Sequence, residues 1–448
     1  MKQNLILVFG LLLSTALYSQ EQSYTFNLQE AIDFAIENNR TSINAAKDIE
    51  AAEKQKWETT ATGLPQLNAT VDYQNFLKQQ VSLIPAEAFG GTPGEFEEVI
   101  FGTKQNMVAQ ATITQKIFDG SYIVGLQSAK VYLDISKNAK EKTDLEIRKS
   151  VINAYGNVLL AEESLALLNK DRKILEDNIR ETTKIYENGL GEEESVEQLQ
   201  ITLSSLNSNL NKTERLKVLA YQMLNITLGL NINTEVTLSD QLESLTVQNI
   251  NLNLLSTEEN IENSVDYKIA ENAKVSQELL LKLEKSKALP TLNAFVNGGY
   301  SAFSNNFDFA SSDQKWFGSS LLGVSLNIPI FSSLGRTAAT ARVKIELEKA
   351  KNDLLETEQQ LKLQVARAKS EYQFAIEDYE NKKLNLNLAE RIERKNQTKF
   401  FEGIGSSFDL RQAQTQLYNA QQEFLQTMLD VINTKAELET ILNTVQFN

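Results

Sequence analysis

The chain contains two long pairs of helical stretches, and each pair is interrupted by a Gly-x-Gly sequence. The first interruption is Gly189-Leu190-Gly191 and the second is Gly403-Ile404-Gly405. Glycine adopts left-handed backbone angles at little cost, so it can end one helix and reverse the chain into the next. Two copies in matching contexts favour a duplicated architecture of helical hairpins over two incidental surface loops.

The sequence after the second Gly-x-Gly carries apolar residues at a seven-residue step. This pattern predicts a helix that packs against its neighbours along its whole length. A second set of positions at the same step holds mostly small side chains, which let the neighbouring helices approach closely. The first set is Leu410, Leu417, Phe424, Val431 and Leu438, and the second is Ala413, Ala420, Thr427, Thr434 and Ile441. A weaker repeat of leucines follows the first Gly-x-Gly.

Composition removes several classes of function. The 448 residues include no cysteine and no histidine, and the formal net charge is −15. Disulfides, thiol nucleophiles, Cys/His zinc sites and histidine acid–base chemistry are therefore excluded. Nucleic acid is disfavoured as a partner because phosphate binding needs clustered Lys and Arg. We expect a protein that is not an enzyme and that needs no cofactor or metal.

Residues 1–20 have the pattern of a secretory signal. One lysine precedes an apolar core that ends in small and polar residues, which predicts cleavage near Ser19 or Gln20. The apolar run is shorter than the roughly 20 residues of a membrane-spanning helix. We therefore expect the mature chain to be exported.

Four segments alternate apolar and polar residues, as strands with one apolar face do. They form one pair near 66–116 and another near 291–329, and residues 78–105, which include Pro85 and Pro93, are interpreted as a long loop. All five prolines lie in or beside these segments, so none interrupts a proposed helix. The apolar residues of the first strand are Leu67, Ala69, Val71 and Tyr73, and those of the last are Leu322, Val324, Leu326 and Ile328.

The order of segments predicts two repeats, at 21–230 and 257–448, joined by a lateral linker at 231–256 that packs on the helices. Each repeat holds a helix, a pair of strands and a long helical hairpin, with tips at 189–191 and 403–405. A helix of the predicted length extends roughly 100 Å at 1.5 Å per residue. The predicted fold is mainly α with a β-barrel part, built from an internally duplicated chain.

The strands are about ten residues long, the length that crosses an outer membrane at a tilt. Open sheet edges are not tolerated in lipid, so four strands must close with strands of other copies. Two chains would give about eight strands and a filled interior, whereas three would give about twelve and leave a water channel. The sequence therefore predicts a trimeric α/β tunnel whose charged helices project into the periplasm.

Several motifs of the chain occur together in one known family. They are Leu64-Pro65 and Leu289-Pro290 at the strand starts, Ile117-Phe118-Asp119-Gly120, Pro329-Ile330-Phe331, both tips and the run from Phe408 to Glu423. With these motifs the chain resembles the TolC-type outer-membrane efflux proteins over nearly all of its mature length. The resemblance implies a homotrimer whose barrel lies in outer-membrane lipid and continues into a periplasmic helical barrel. It also implies docking to a periplasmic adaptor (membrane fusion) protein and an inner-membrane transporter, in a passive conduit for small molecules or proteins.

The resemblance also assigns roles to the tips, which in this family contact the adaptor and constrict the channel. Asp409 matches the first of two acidic positions that some members place after the second tip, but Gln412 occupies the second. A polar gate of some members is absent, because its positions here are Phe400, Gly405 and Ser195. The residues that take the docking and constriction role are Gly189, Leu190, Gly191, Gly403, Ile404 and Gly405.

The acidic residues at the tips have two interpretations. Glu192, Glu193 and Glu194 either line an acidic channel entrance or only oppose the positive end of a helix macrodipole. Asp409 either belongs to the same entrance or is a helix-start residue. The sequence leaves both alternatives open.

Two other classes of function compete with the channel. A structural or adhesive coiled-coil protein of the cell surface would share the long helices, but four alternating strands are of no use to a soluble rod. An exported hydrolase is disfavoured by the missing histidine and by the lack of a nucleophile motif.

Overall fold

The structure, a computed structural model, describes residues 23–256 and 260–444. These residues group into two units. The helical unit comprises the described residues within Met1–Ile49, Ser136–Glu271 and Asp353–Asn448, and the sheet unit comprises Glu50–Ile135 and Asn272–Asn352. Each unit draws on both halves of the sequence. The predicted signal segment 1–20 lies outside the described residues.

Long helices account for most of the described chain. Of these, α3 contains 68 residues and α7 contains 67, which corresponds to roughly 100 Å each. Each is followed across a short tip by a helix of 36 residues, so both predicted hairpins are confirmed. The helices are α1 (Leu28–Asn38), α2 (Arg40–Ala61), α3 (Gly120–Glu187), α4 (Glu193–Leu228), α5 (Leu242–Asn249), α6 (Val265–Ser286), α7 (Gly335–Phe401) and α8 (Ser407–Leu442).

The first helix begins with a capping box. The Glu30 N–H donates to Asn27 Oδ1 and the Asn27 N–H donates to Glu30 Oε2, each at 2.9 Å. This exchange satisfies two backbone donors that the first turn of a helix leaves without partners. The apolar face of α1 packs into the core of the helical unit, where Ala31, Ile32 and Ala35 are buried.

The core of the helical unit is built around large side chains from α3, α7 and α8. Tyr155, Tyr372 and Tyr379 are almost completely buried in it. The Leu429 side chain of α8 packs over Gly156 of α3, where an added Cβ would lie 2.4 Å from Leu429 Cδ1. Glycine at this position leaves room for that side chain.

The segment 231–256, interpreted from its sequence as an irregular linker, contains regular elements. Strand β6 (Val236–Leu238) pairs in parallel with β1 (Tyr24–Phe26). Helix α5 packs on α8 and buries Leu242 and Leu245 in the shared core. The sequence does not reveal this strand pair because it is three residues long and joins positions about two hundred residues apart.

The sheet unit holds a four-stranded antiparallel sheet. Its strand order is β2 (Gln66–Asn75), β5 (Gln105–Phe118), β7 (Thr291–Ser304) and β8 (Trp316–Asn327). The four predicted strands are confirmed, although β8 begins earlier than its alternation suggested. Within this sheet, the outer edges of β2 and β8 have no strand partner.

One apolar row crosses the whole sheet. The backbone register places Leu67 opposite Ile113, Ile113 opposite Val296, and Val296 opposite Leu322. All four side chains are exposed. The neighbouring row on the opposite face is polar on three strands, with Asn68, Thr112 and Asn297. The sheet therefore has no packed core on either side of this row.

The interpretation of residues 78–105 as a loop was wrong in part. Strands β3 (Val81–Pro85) and β4 (Phe96–Ile100) form an antiparallel hairpin within it. Pro85 is the last residue of β3, where the missing N–H interrupts no ladder. Proline and glycine are typical of loops, so the sequence did not indicate a hairpin whose strands are only five residues long.

Candidate functional site: the two hairpin tips

Both tips end their first helix with the same hydrogen-bond pattern. Gly189 and Gly403 adopt φ angles of 71° and 75°. In the first tip the Gly189 N–H donates to the Tyr186 carbonyl at 2.8 Å and the Leu190 N–H to the Ile185 carbonyl at 3.0 Å. In the second tip the Gly403 N–H donates to the Phe400 carbonyl at 3.1 Å and the Ile404 N–H donates to the Lys399 carbonyl at 3.0 Å. This is the Schellman motif, which needs a left-handed residue.

The second glycine of each tip has a different structural reason. Neither Gly191 nor Gly405 adopts a positive φ angle. A Cβ on Gly191 would lie 3.0 Å from Ile185 Cγ2, and one on Gly405 would lie 3.0 Å from Lys399 Cβ and 3.2 Å from the Lys399 carbonyl carbon. These glycines therefore allow the returning chain to pass close to the end of the helix.

The residue between the two glycines is apolar and exposed in both tips. Leu190 is 81% exposed and Ile404 is 71% exposed. In many Schellman motifs the equivalent apolar side chain packs back on the helix. Here both side chains remain available, so each tip presents an apolar apex.

The acidic residues of the first tip lie at the start of α4. Glu192 is the N-cap residue and makes no capping hydrogen bond through its side chain. Glu193 and Glu194 occupy the first turn, where the Gln198 amide donates to Glu194 Oε1 at 2.8 Å. Carboxylates in this position interact favourably with the N-terminal end of the macrodipole.

Asp409 has a clear local role at the start of α8. The Ser406 hydroxyl donates to Asp409 Oδ2 at 2.7 Å, and the Asp409 N–H donates to Ser406 Oγ at 3.1 Å. Asp409 thus completes the N-terminal cap of this helix while its side chain remains exposed. The predicted acidic entrance stays a prediction.

A set of polar residues that the sequence did not single out is buried between helices near the tips. Asp171 and Asn178 on α3 are seven residues apart, and so are Gln414 and Gln421 on α8. All four are buried. A seven-residue step is the repeat of a helix contact face, so polar residues at that step were the available signal.

Within residues 23–256 and 260–444, every helix is either too short or too polar to span a lipid bilayer. The same ranges hold no group of three or more His, Cys, Asp or Glu side chains that is arranged to bind a metal ion.

Comparisons with known proteins identify the fold. CusC, from crystal structures that concern folding and transmembrane channel formation, has a TM-score of 0.73 at 17% identity, covering 95% of each chain. VceC from Vibrio cholerae has a TM-score of 0.71 at 15% identity, covering 93% of this chain and 95% of VceC. The Campylobacter jejuni outer membrane channel CmeC has a TM-score of 0.70 at 17% identity, covering 93% of this chain and 85% of CmeC. No curated protein sequence matches the chain.

Identities this low establish a shared fold, which is the mainly helical fold of TolC-like channels. The family follows from a separate match. The family model described as outer membrane efflux protein matches residues 31–230 and 270–444, well over half of the chain. This chain belongs to the outer membrane efflux protein family.

Proposed function

We propose that this protein is a passive outer-membrane channel for efflux or secretion, with its sheet in the outer membrane and its helices in the periplasm. The observation that carries the proposal is the exposed apolar row through all four strands, Leu67, Ile113, Val296 and Leu322. A sheet in water would bury such a row, whereas lipid covers it without a protein partner.

The channel is proposed to be a homotrimer. The unpaired edges of β2 and β8 need partners in lipid, and the β8 edge of one copy can pair with the β2 edge of the next. The helices offer a second contact. Exposed apolar residues lie on one face of α4 at Ile201, Leu219, Met223 and Ile226, and on one face of α7 at Leu363, Phe374, Leu388 and Ile392.

The tips are proposed to dock a periplasmic adaptor protein, which links the channel to an inner-membrane transporter. Leu190 and Ile404 supply the apolar contacts, because both are exposed at the apex of a rigid turn. Fixed apolar residues in such positions bind partners with little loss of conformational entropy. Asp409 and the glutamates 192–194 are proposed to give the channel entrance a negative charge.

The test is a paired substitution at the tips. In cells that lack the native gene, we expect Leu190→Ser with Ile404→Ser to abolish resistance to an exported toxic compound. Each lost apolar contact costs about 1.5–3 kcal/mol of docking free energy, or roughly tenfold or more in affinity. Resistance is measured as the minimum inhibitory concentration, and outer-membrane abundance is measured by immunoblot.

The matched control exchanges the two side chains, as Leu190→Ile with Ile404→Leu. This variant keeps the apolar area and should retain resistance. Full resistance in the serine variant would contradict docking through the tips. Failure of the purified native protein to conduct ions across a planar bilayer would contradict the channel itself.

A further inference from the structure

Near the tips, the helical unit holds a polar seam where the α3–α4 hairpin meets the α7–α8 hairpin. Asn178 on α3 accepts a hydrogen bond at 3.0 Å from the amide of Gln397 on α7. The seam lies within roughly 25 Å of the helix ends that carry the tips. Its residues are Asp171 and Asn178 on α3, Glu393 and Gln397 on α7, and Gln414 and Gln421 on α8.

The seam residues of α3 and α8 are buried, those of α7 are half-buried, and several of the polar atoms lack a hydrogen-bond partner. Asp171 is 4% exposed and Gln414 is 1% exposed. Neither polar atom of the Gln414 side chain has a partner at hydrogen-bond geometry, although its amide is near enough to Glu393 to favour the charged carboxylate. Asn178 Nδ2 has no partner either. Polar groups left in this state cost about 1–3 kcal/mol each. Water that enters a separated seam would recover much of that cost.

The seam also contains two carboxyl groups without a matching cation. Burial raises the pKa of Asp171 to about 6; the Glu393 charge adds to this effect, whereas Gln421 and Lys170 oppose it. Burial likewise raises the pKa of Glu393 against the influence of Gln414 and Arg394. Lys170 and Arg394 are themselves exposed. Neither carboxylate forms an ion pair with another described residue.

The groups that face this pair from α8 do not supply a positive charge. Tyr418 is partly buried beside both carboxylates, and burial together with their charges raises the pKa of its hydroxyl. Gln414 and Gln421 are neutral. Ionisation of both acids therefore places two negative charges in a desolvated contact between hairpins, where like charges repel.

Apolar contacts act in the opposite direction. Leu410 and Phe400 of the second hairpin pack against a leucine cluster that α3 and α4 share, which includes Leu175 and Leu199. These contacts favour a closed seam at every pH. The charge of the two acids therefore opposes these apolar contacts, and its strength depends on pH.

We propose that Asp171 and Glu393 form a proton-dependent latch, which closes the seam between the two hairpins when protonated and releases it when both groups are ionised. The sign follows from the direction of the raised pKa. A group that holds its proton more tightly in the closed seam favours closure at low pH and loses that effect as pH rises through its pKa. For Asp171, a change of about two pKa units corresponds to up to about 100-fold in the closing equilibrium.

This inference concerns regulation of the proposed channel, but its test measures the separation of the hairpins and not transport. The chain has no cysteine, so paired thiols can be placed without background. Asn178→Cys with Gln397→Cys spans the seam. Lys382→Cys with Glu423→Cys, whose native side chains are 2.8 Å apart, joins α7 to α8 inside one hairpin and serves as the control.

The full-length protein in detergent is treated with a short bifunctional thiol reagent at pH 5 and pH 7.5. The cross-linking rate of the seam pair is divided by that of the control pair, which cancels the pH dependence of the thiols. We expect this ratio to fall at least about threefold at pH 7.5, because a pKa of about 6 for Asp171 in the closed seam makes roughly tenfold of the closing effect available between these two pH values. Asp171→Asn with Glu393→Gln should abolish the fall.

A second measurement leaves the seam residues intact. Spin labels at Leu190→Cys and Ile404→Cys report the distance between tips, which should lengthen at pH 7.5 in the native background and stay constant in the Asp171→Asn, Glu393→Gln protein. A ratio and a distance that do not change with pH would overturn the latch. The same pH response in the doubly substituted protein would also overturn it.

Discussion

Gly403 and Gly405 are two residues apart, yet the structure needs each of them for a different reason. Gly403 has a positive φ angle, and a Cβ added there would meet only open space. Glycine is therefore favoured at this position by the backbone conformation alone. Gly405 has an ordinary φ angle but lies against Lys399 and Phe400. Substitutions at the two positions should therefore fail in different ways.

Gly403→Val should destabilise the second tip by about 2 kcal/mol, because a β-branched residue is strained at this φ angle. Gly403→Asn should cost much less, since asparagine tolerates left-handed angles. Limited proteolysis at the tip measures the difference, and outer-membrane abundance shows whether assembly survives. We expect Gly403→Val to impair efflux but not assembly. Loss of assembly would make the tip a folding element.

At the scale of elements, buried tyrosines connect α3 and α7 to the segments that pack on them. The Tyr155 hydroxyl donates to Asp240 Oδ2 at 2.8 Å and also lies 3.1 Å from the Phe26 carbonyl oxygen. Asp240 accepts in addition the Leu28 N–H at 2.8 Å. One hydroxyl thus ties α3 to the β1–α1 junction and to the segment before α5.

Tyr155→Phe should lower the free energy of unfolding by about 1–3 kcal/mol, because it removes a part-buried hydrogen bond to the Asp240 carboxylate. Tyr379→Phe is the matched control. Its ring is equally buried, but its hydroxyl has no hydrogen-bond partner, so its loss should be neutral or stabilising. The melting temperatures of the two variants are compared in the same detergent. Equal melting temperatures would show that the Tyr155 bonds do not stabilise the unit.

At the scale of the whole molecule, the exposed apolar face of α7 needs a partner in water. Leu363, Phe374, Leu388 and Ile392 are spaced near whole helical turns, so they form one stripe. The proposed homotrimer would bury this stripe against a helix of the next copy.

Phe374→Glu with Leu363→Glu should convert the detergent-solubilised trimer largely to monomer, because charges in that contact would be buried without partners. The mass is read by light scattering after size exclusion. Gln364→Glu is the control, since this exposed residue lies about a quarter-turn from the stripe and adds a charge of the same sign. Unchanged trimers in the first variant would place the interface elsewhere.

Several features could be predicted because their signals are local. The hairpin tips follow from glycine spacing, the long helices from the absence of proline, and the strands from alternation, as at Leu67 to Tyr73. The capping box of Asn27 and Glu30 is equally local, although it was not among the features predicted. Each depends on residues a few positions apart, whose backbone preferences are largely independent of tertiary contacts.

The chain's sequence by itself determined two long hairpins, four alternating strands and the residues at each turn. Only the tertiary structure decided that β1 pairs with β6, that β3 and β4 form a hairpin inside a proline-rich segment, and that Asp171, Glu393 and Gln414 share one seam. The reason is that pairing and desolvation depend on contacts between residues far apart in sequence. A carboxylate in a helical pattern is expected to be solvated until a neighbouring helix is known to cover it.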